Sequence, residues 1–116
     1  TNDRSLVVRL VTRRQAFLFA ADIEEAGVDS LLALGLPLTA TALKLPHHGA
    51  HNDRLPALLA AVRPQVAVVT APLRNRFSFP HPATLTALQA AGVTVRQTGR
   101  EGRISFPLDD DLKGIP

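Results

Sequence analysis

Apolar residues in this chain fall into two kinds of run, and the two kinds alternate. SLVVRLV (5–11) and QAFLFA (15–20) are β-rich runs separated by the polar TRR, which predicts a hairpin. IEEAGVDSLLALGL (23–36) has Val and Leu at helical spacing and acidic residues early, with Gly35 and Pro37 as stop signals. TALKL (41–45) is short and apolar and predicts a buried strand, ended by Pro46. RLPALLAAVR (54–63) predicts a second helix closed by Pro64, and VAVVTA (66–71) the clearest buried strand. A loop rich in Arg, Phe and Pro (72–82) leads into a third helix, ATLTALQAAG (83–92), with Pro82 tolerated at its start. VTVRQ (93–97), the turn TGREG and RISF (103–106) predict a closing hairpin. Residues 1–107 then form one domain, and 108–116 read as a C-terminal tail.

The predicted order is ββαβαβαββ, an α/β layer architecture with a mixed sheet. No repeat or low-complexity segment interrupts it. Every candidate site residue falls where a strand runs out: Asp22, then His47 and His48, then the 72–82 loop with His81. Open α/β sheets place their ligand sites beyond the strand carboxyl ends.

Composition narrows the chemistry. The 116 residues are 46% apolar but only 4% aromatic, so Leu, Val, Ile and Ala must make the core. No run approaches the roughly 20 apolar residues that span a bilayer, and no secretory signal opens the chain. Without cysteine there is neither a disulfide nor a thiolate metal site, so any metal needs His and carboxylate ligands. The chain opens on TNDRSLVVRL with no initiator Met, so a piece cut from a longer protein is an open expectation. Net charge is +3, and eleven of the thirteen cations are Arg, whose planar fork matches phosphate oxygens in pairs. Nucleic acid is a compatible partner. The arginines are scattered, however, and a GC-rich genome enriches Arg, Ala and Leu alike.

Each candidate has two readings. Asp22, between strand and helix, is either a helix N-cap or a ligand. His47-His48-Gly49 offers metal ligands or a general base. On an extended strand neighbouring side chains diverge, so one of the two imidazoles is expected at the site and the other orients it or faces solvent. His51 is expected to be exposed. His81, between Pro80 and Pro82, is structural unless its place on the same rim gives it a role. Arg74, Arg76, Phe77 and Phe79 suit phosphate contact and base stacking, or else the phenylalanines fill the core.

NDRSLVVRL, a strand ending in Asp22, LKLPHHG, VRPQVAVVTA, NRFSFPHP and TGREGRIS resemble, in order and spacing, the C-terminal half of the metallo-β-lactamase-like domain of ComEC-type DNA-uptake proteins. The resemblance runs from about Asn2 to Phe106. It implies half of an αββα sandwich, in a soluble extracytoplasmic part of an inner-membrane channel protein that carries DNA into competent bacteria. It also implies a metal-dependent nuclease site. Asp22 and His47 would be metal ligands, His48 and His81 catalytic, and Arg74 and Arg76 contacts to DNA phosphate. Zn or Mn would be the metal in the complete domain, which the missing N-terminal half completes.

Departures from the family pattern accompany these matches. The fold's main signature, His-x-His-x-Asp-His, is absent from these residues. Ala20-Ala21 stand where the family has Thr-Gly, Ala50 where it has Ser, and Phe79 where it has a His. The isolated chain is therefore expected to be inactive, to bind no divalent metal tightly, and to self-associate through an uncovered sheet face. The alternatives are a degenerate, non-catalytic scaffold or DNA-contacting module, and a hydrolase of the same fold acting on another ester.

Overall fold

The structure is a computed structural model and describes residues 5–107. Five strands, β1 (Val8–Val11), β2 (Ala16–Phe19), β3 (Ala42–Lys44), β4 (Val66–Val69) and β5 (Thr94–Gln97), form one sheet in the order β1-β2-β3-β4-β5. β1 and β2 make the expected antiparallel hairpin, with Val8 opposite Phe19 and Leu10 opposite Phe17. β2 through β5 are parallel neighbours, which makes the sheet mixed.

Three helices connect the parallel strands: α1 (Glu25–Ala33), α2 (Leu55–Val62) and α3 (Pro82–Ala90). Right-handed crossovers that always step in the same direction lay their helices on one face of the sheet. The core agrees with this arrangement. Leu18, Leu43, Ala67 and Val69 from one sheet face join Val28 of α1, Leu58 and Val62 of α2 and Leu88 of α3 in a single buried cluster. α2 shows why it folds as it does, since its buried Leu55, Leu58, Leu59 and Val62 recur at i, i+3, i+4 and i+7. α1 ends at its C-cap Leu34, just before the stop signal Gly35, which turns with φ of +67°.

The predicted closing hairpin is wrong. Thr98–Glu101 is one helical turn (α4), and residues 103–106 pair with no strand. Gly99 explains the difference, because its backbone lies so close to the 71–73 loop that a Cβ would stand 2.5 Å from the Leu73 nitrogen. Thr98 Oγ1 donates to the Val69 carbonyl at 3.4 Å and holds the turn against the end of β4. Residues 103–106 therefore cross the sheet's second face, where Phe106 packs on Phe17 with centroids 5.8 Å apart. The order is ββαβαβαβ followed by α4, not ββαβαβαββ.

Among the described residues no helix covers that second face. Leu10, Phe17, Phe19, Ala42 and Val68 line a cavity of about 360 Å³ on it, together with Ile104 and Phe106. Val8, Leu10 and Phe19 remain exposed. The predicted tail at 108–116 lies outside the described residues. No described helix is long and apolar enough to cross a membrane.

Candidate functional site

The carboxyl ends of β2, β3 and β4 open onto one cavity of about 600 Å³. Asp22, His47, His48, Arg74, Arg76 and Phe79 all line it. Five of the six residues assigned a site role therefore converge in space, and His81 does not join them.

The histidines arrive by an unusual backbone. Pro46–Gly49 is a short 3₁₀ turn in which His47 (φ 50°, ψ 46°) and His48 (φ 55°, ψ 25°) are both left-handed, followed by Gly49 at φ +82°. Each such non-glycine residue costs on the order of 1–3 kcal/mol and persists only where its surroundings dictate it. Those surroundings are visible. The His47 nitrogen donates to the Ala21 carbonyl at 2.8 Å, and the His81 nitrogen to the Gly49 carbonyl at 2.9 Å. At Gly49 a Cβ would stand 2.9 Å from the Pro80 Cβ, so glycine is required for closeness as well as for its φ. The sequence argument that only one imidazole reaches the site fails here. It holds for extended strands, and a left-handed turn curls both rings toward the same side.

His48 is the better defined of the two. Its Nδ1 lies 2.7 Å from the Thr70 carbonyl oxygen, and its Nε2 is 3.7 Å from Asp22 Oδ1. His47 Nδ1 is 3.7 Å from Glu24 Oε1, with the two imidazole centroids 6.5 Å apart. Glu24 was missed in the sequence, although its place two residues after Asp22 was a usable signal. Asp22 does not cap α1, whose N-cap position is Glu24 with no side-chain cap bond. The carboxylate instead faces His48.

Phe79 is packed among the rings, not in the core. Its centroid is 5.7 Å from His47 and 6.3 Å from His48, nearly parallel to the latter at 15°. Phe77 stacks on Phe79 at 5.4 Å and 20°, and the Arg76 guanidinium sits 4.8 Å from the Phe77 centroid. Asn75 organises this loop. Its Nδ2 donates to the carbonyls of Pro72 and Phe79, and its Oδ1 accepts from the Phe79 nitrogen. The sequence marked Asn75 only as the first residue of NRFSFPHP, with no role of its own.

His81 stands at the N-cap of α3, where its Nδ1 accepts from the Ala83 nitrogen at 3.0 Å. Its ring lies 5.0 Å from that of His51. His51 is exposed as expected but bonds Asp53 Oδ1 through Nε2 at 2.8 Å. This pair forms a separate surface cluster.

Among the described residues, no group of three or more His, Cys, Asp or Glu side chains is placed to hold an ion. The cavity can offer a carboxylate, two imidazoles and two guanidinium groups to a ligand, with stacked rings as one wall.

Two curated proteins match this chain over nearly all its length. It is 27% identical to ComE operon protein 3 of Bacillus subtilis (strain 168) over 105 residues, covering 90% of this chain and 14% of the relative. It is 31% identical to Competence protein ComA of Neisseria gonorrhoeae over 108 residues, covering 92% of this chain and 16% of the relative. The chain thus spans only a small part of the curated relatives it matches. No family model matches it. No solved structure matches it. The chain is related in sequence to competence proteins.

Proposed function

We propose that this chain is the C-terminal half of a metallo-β-lactamase-like domain in a ComEC-type DNA-uptake protein. In this reading the cavity beyond β2, β3 and β4 is half of a site that cleaves or handles DNA. The observation that carries it is the convergence of Asp22, His47, His48, Arg74 and Arg76 on that cavity. The relationship to two competence proteins supports the biological role, and an apolar sheet face that no described helix covers supports the half-sandwich. The domain would sit on the extracytoplasmic side of the inner membrane.

The residues divide the work by chemistry. A carbonyl can only accept, so the bond to Thr70 keeps the His48 proton on Nδ1 and presents Nε2 as a lone pair toward Asp22. That Nε2 can take a proton or bind an ion. Arg74 and Arg76 at the rim suit phosphate oxygens. Zn or Mn does not fit these residues alone, so it would be held jointly with ligands from outside this chain.

A second reading also has an observation behind it. Phe79 packs against both imidazoles and leaves the wall between them apolar, as in a module that contacts DNA without cutting it.

Calorimetric titration of the chain with Zn²⁺ and Mn²⁺, beside Asp22→Ala and His47→Ala, tests the half-site. No tight binding is expected. Stoichiometric tight binding that both substitutions abolish would overturn it. Separately, Arg74→Ala/Arg76→Ala should weaken binding of a labelled oligonucleotide.

A further inference from the structure

Phe77 is 60% exposed, in a chain with five Phe and no Trp or Tyr. A single exposed apolar ring needs no explanation, but this one is built into position. Ser78 has a left-handed backbone (φ 55°), and its nitrogen donates to the Asn75 carbonyl at 3.2 Å. The Asn75 side chain holds both backbone polar groups of Phe79. This closed turn sets the Phe77 and Phe79 rings 5.4 Å apart and 20° from parallel, and Phe79 lies within 15° of parallel to His48. A left-handed non-glycine residue persists only where its surroundings enforce it. Here it supports three nearly aligned rings on the wall of the cavity that also holds Arg74 and Arg76.

We propose that Phe77 is the base-stacking residue of this site, so that the site takes a nucleic-acid strand by an unpaired nucleobase. This deepens the reading of the cavity as a DNA site and rests on it. An aromatic face holds a base by stacking, whatever its sequence. Bases inside a duplex already stack on both sides, so the ring can reach only a single strand or a frayed end. A nucleotide brings a flat π face and a phosphate together, which matches a ring beside two guanidinium groups. The site is concave, and its volume of about 600 Å³ falls within the range of small-molecule sites, which suits one nucleotide and not the plane of a bilayer.

Arg76 already uses the ring in the way a base would. Its guanidinium lies over Phe77 at 4.8 Å from the centroid, so a base that stacks there displaces it. A cation–π contact at an exposed site is weak, and the displaced group has a phosphate of the same strand to pair with. The aligned rings then run from the base through Phe77 and Phe79 to His48, whose Nε2 lies 3.7 Å from Asp22 Oδ1. Phe77 sets which strands are held at the cavity and takes no part in the chemistry.

With no Trp or Tyr in the chain, Phe77→Trp introduces its only indole, and the test follows from that. In EDTA, oligo-dT should quench the emission of this variant, and an abasic oligomer of equal length should not. Anisotropy of the labelled oligomers gives the affinities. Phe77→Leu keeps the apolar bulk and loses the ring, and it should bind oligo-dT about tenfold more weakly. Its salt slope should match the parent's, because no phosphate contact is lost. Phe77→Trp should restore the affinity. Three results would overturn the proposal: equal affinity of the parent for the abasic oligomer and oligo-dT, unchanged oligo-dT affinity in Phe77→Leu, or an indole that responds to phosphatidylglycerol vesicles and not to oligo-dT. In the first case, binding lost in Arg74→Ala/Arg76→Ala would leave the proposed function standing. A parent chain that binds neither oligomer would overturn both.

Discussion

His48 Nδ1 meets the Thr70 carbonyl oxygen at 2.7 Å, and this contact sets which ring nitrogen is available for chemistry. Neutral His48 must carry its proton on Nδ1, because the carbonyl has none to give. Its Nε2, 3.7 Å from Asp22, then faces the cavity as an acceptor. Nitrogen-15 NMR of the imidazoles at a pH where they are neutral should therefore report the Nδ1–H tautomer for His48. A protonated Nε2 in that state would show that the contact does not hold in solution, and with it the assignment of His48 as base or ligand would go.

Gly99 supplies a stability prediction. A methyl group there would meet the Leu73 nitrogen at 2.5 Å and the Ala71 carbonyl at 2.7 Å, both backbone atoms that cannot rotate aside. Gly99→Ala should cost about 1–3 kcal/mol in urea unfolding. Gly92→Ala is a useful comparison, because a Cβ there meets nothing within 4 Å and its cost would come from φ alone. Equal losses at the two positions would mean that the 71–73 loop moves away from α4 easily.

Most of the fold was legible because the elements that build it obey local rules. The i, i+3, i+4, i+7 spacing in α2 and the buried VAVV run of β4 announce themselves in any window of the sequence. The gathering of Asp22, His47 and His48 on one rim was legible for the same reason, since strand ends were. What failed depended on contacts between distant segments. RISF has strand composition, but α4 packs against the 71–73 loop and carries it off the sheet edge onto the second face. The left-handed pair His47 and His48 is set by Ala21 and Pro80, and neither lies next to it in sequence.

Arg96 and Glu101 give a pH prediction. The Arg96 guanidinium donates to Glu101 at 2.7 and 3.0 Å, and this hydrogen bond holds the Glu101 carboxyl below the usual glutamate range. A carboxylate whose folded pKa is depressed contributes stability above its unfolded pKa, and the contribution is lost as pH falls through the folded value. The pair is exposed, so its effect should be small and should weaken with salt. Glu101→Gln should flatten the acid side of the thermal stability profile and leave the neutral side nearly unchanged. An acid limb of the same steepness in both proteins would assign it to other carboxylates.

The uncovered sheet face leads to the last prediction. Val8, Leu10 and Phe19 are 43%, 49% and 42% exposed on adjacent antiparallel strands, beside an apolar cavity that, among the described residues, Ile104 and Phe106 partly roof. Each large apolar side chain left in water forgoes about 1.5–3 kcal/mol of burial free energy, so a contiguous group of them favours any surface that excludes water. In a complete sandwich the other half would take that place, and in the isolated chain a second copy is the available partner. Sedimentation velocity across a concentration series should show reversible self-association of this chain. Leu10→Asp, which places a charge in the middle of the patch while its own backbone pairing with Phe17 is kept, should shift the equilibrium to monomer. The helix face of the sheet is untouched by that substitution, so circular dichroism should stay the same. If Leu10→Asp associates as strongly as the parent chain, the contact lies elsewhere, and the second face would have to be closed within one molecule.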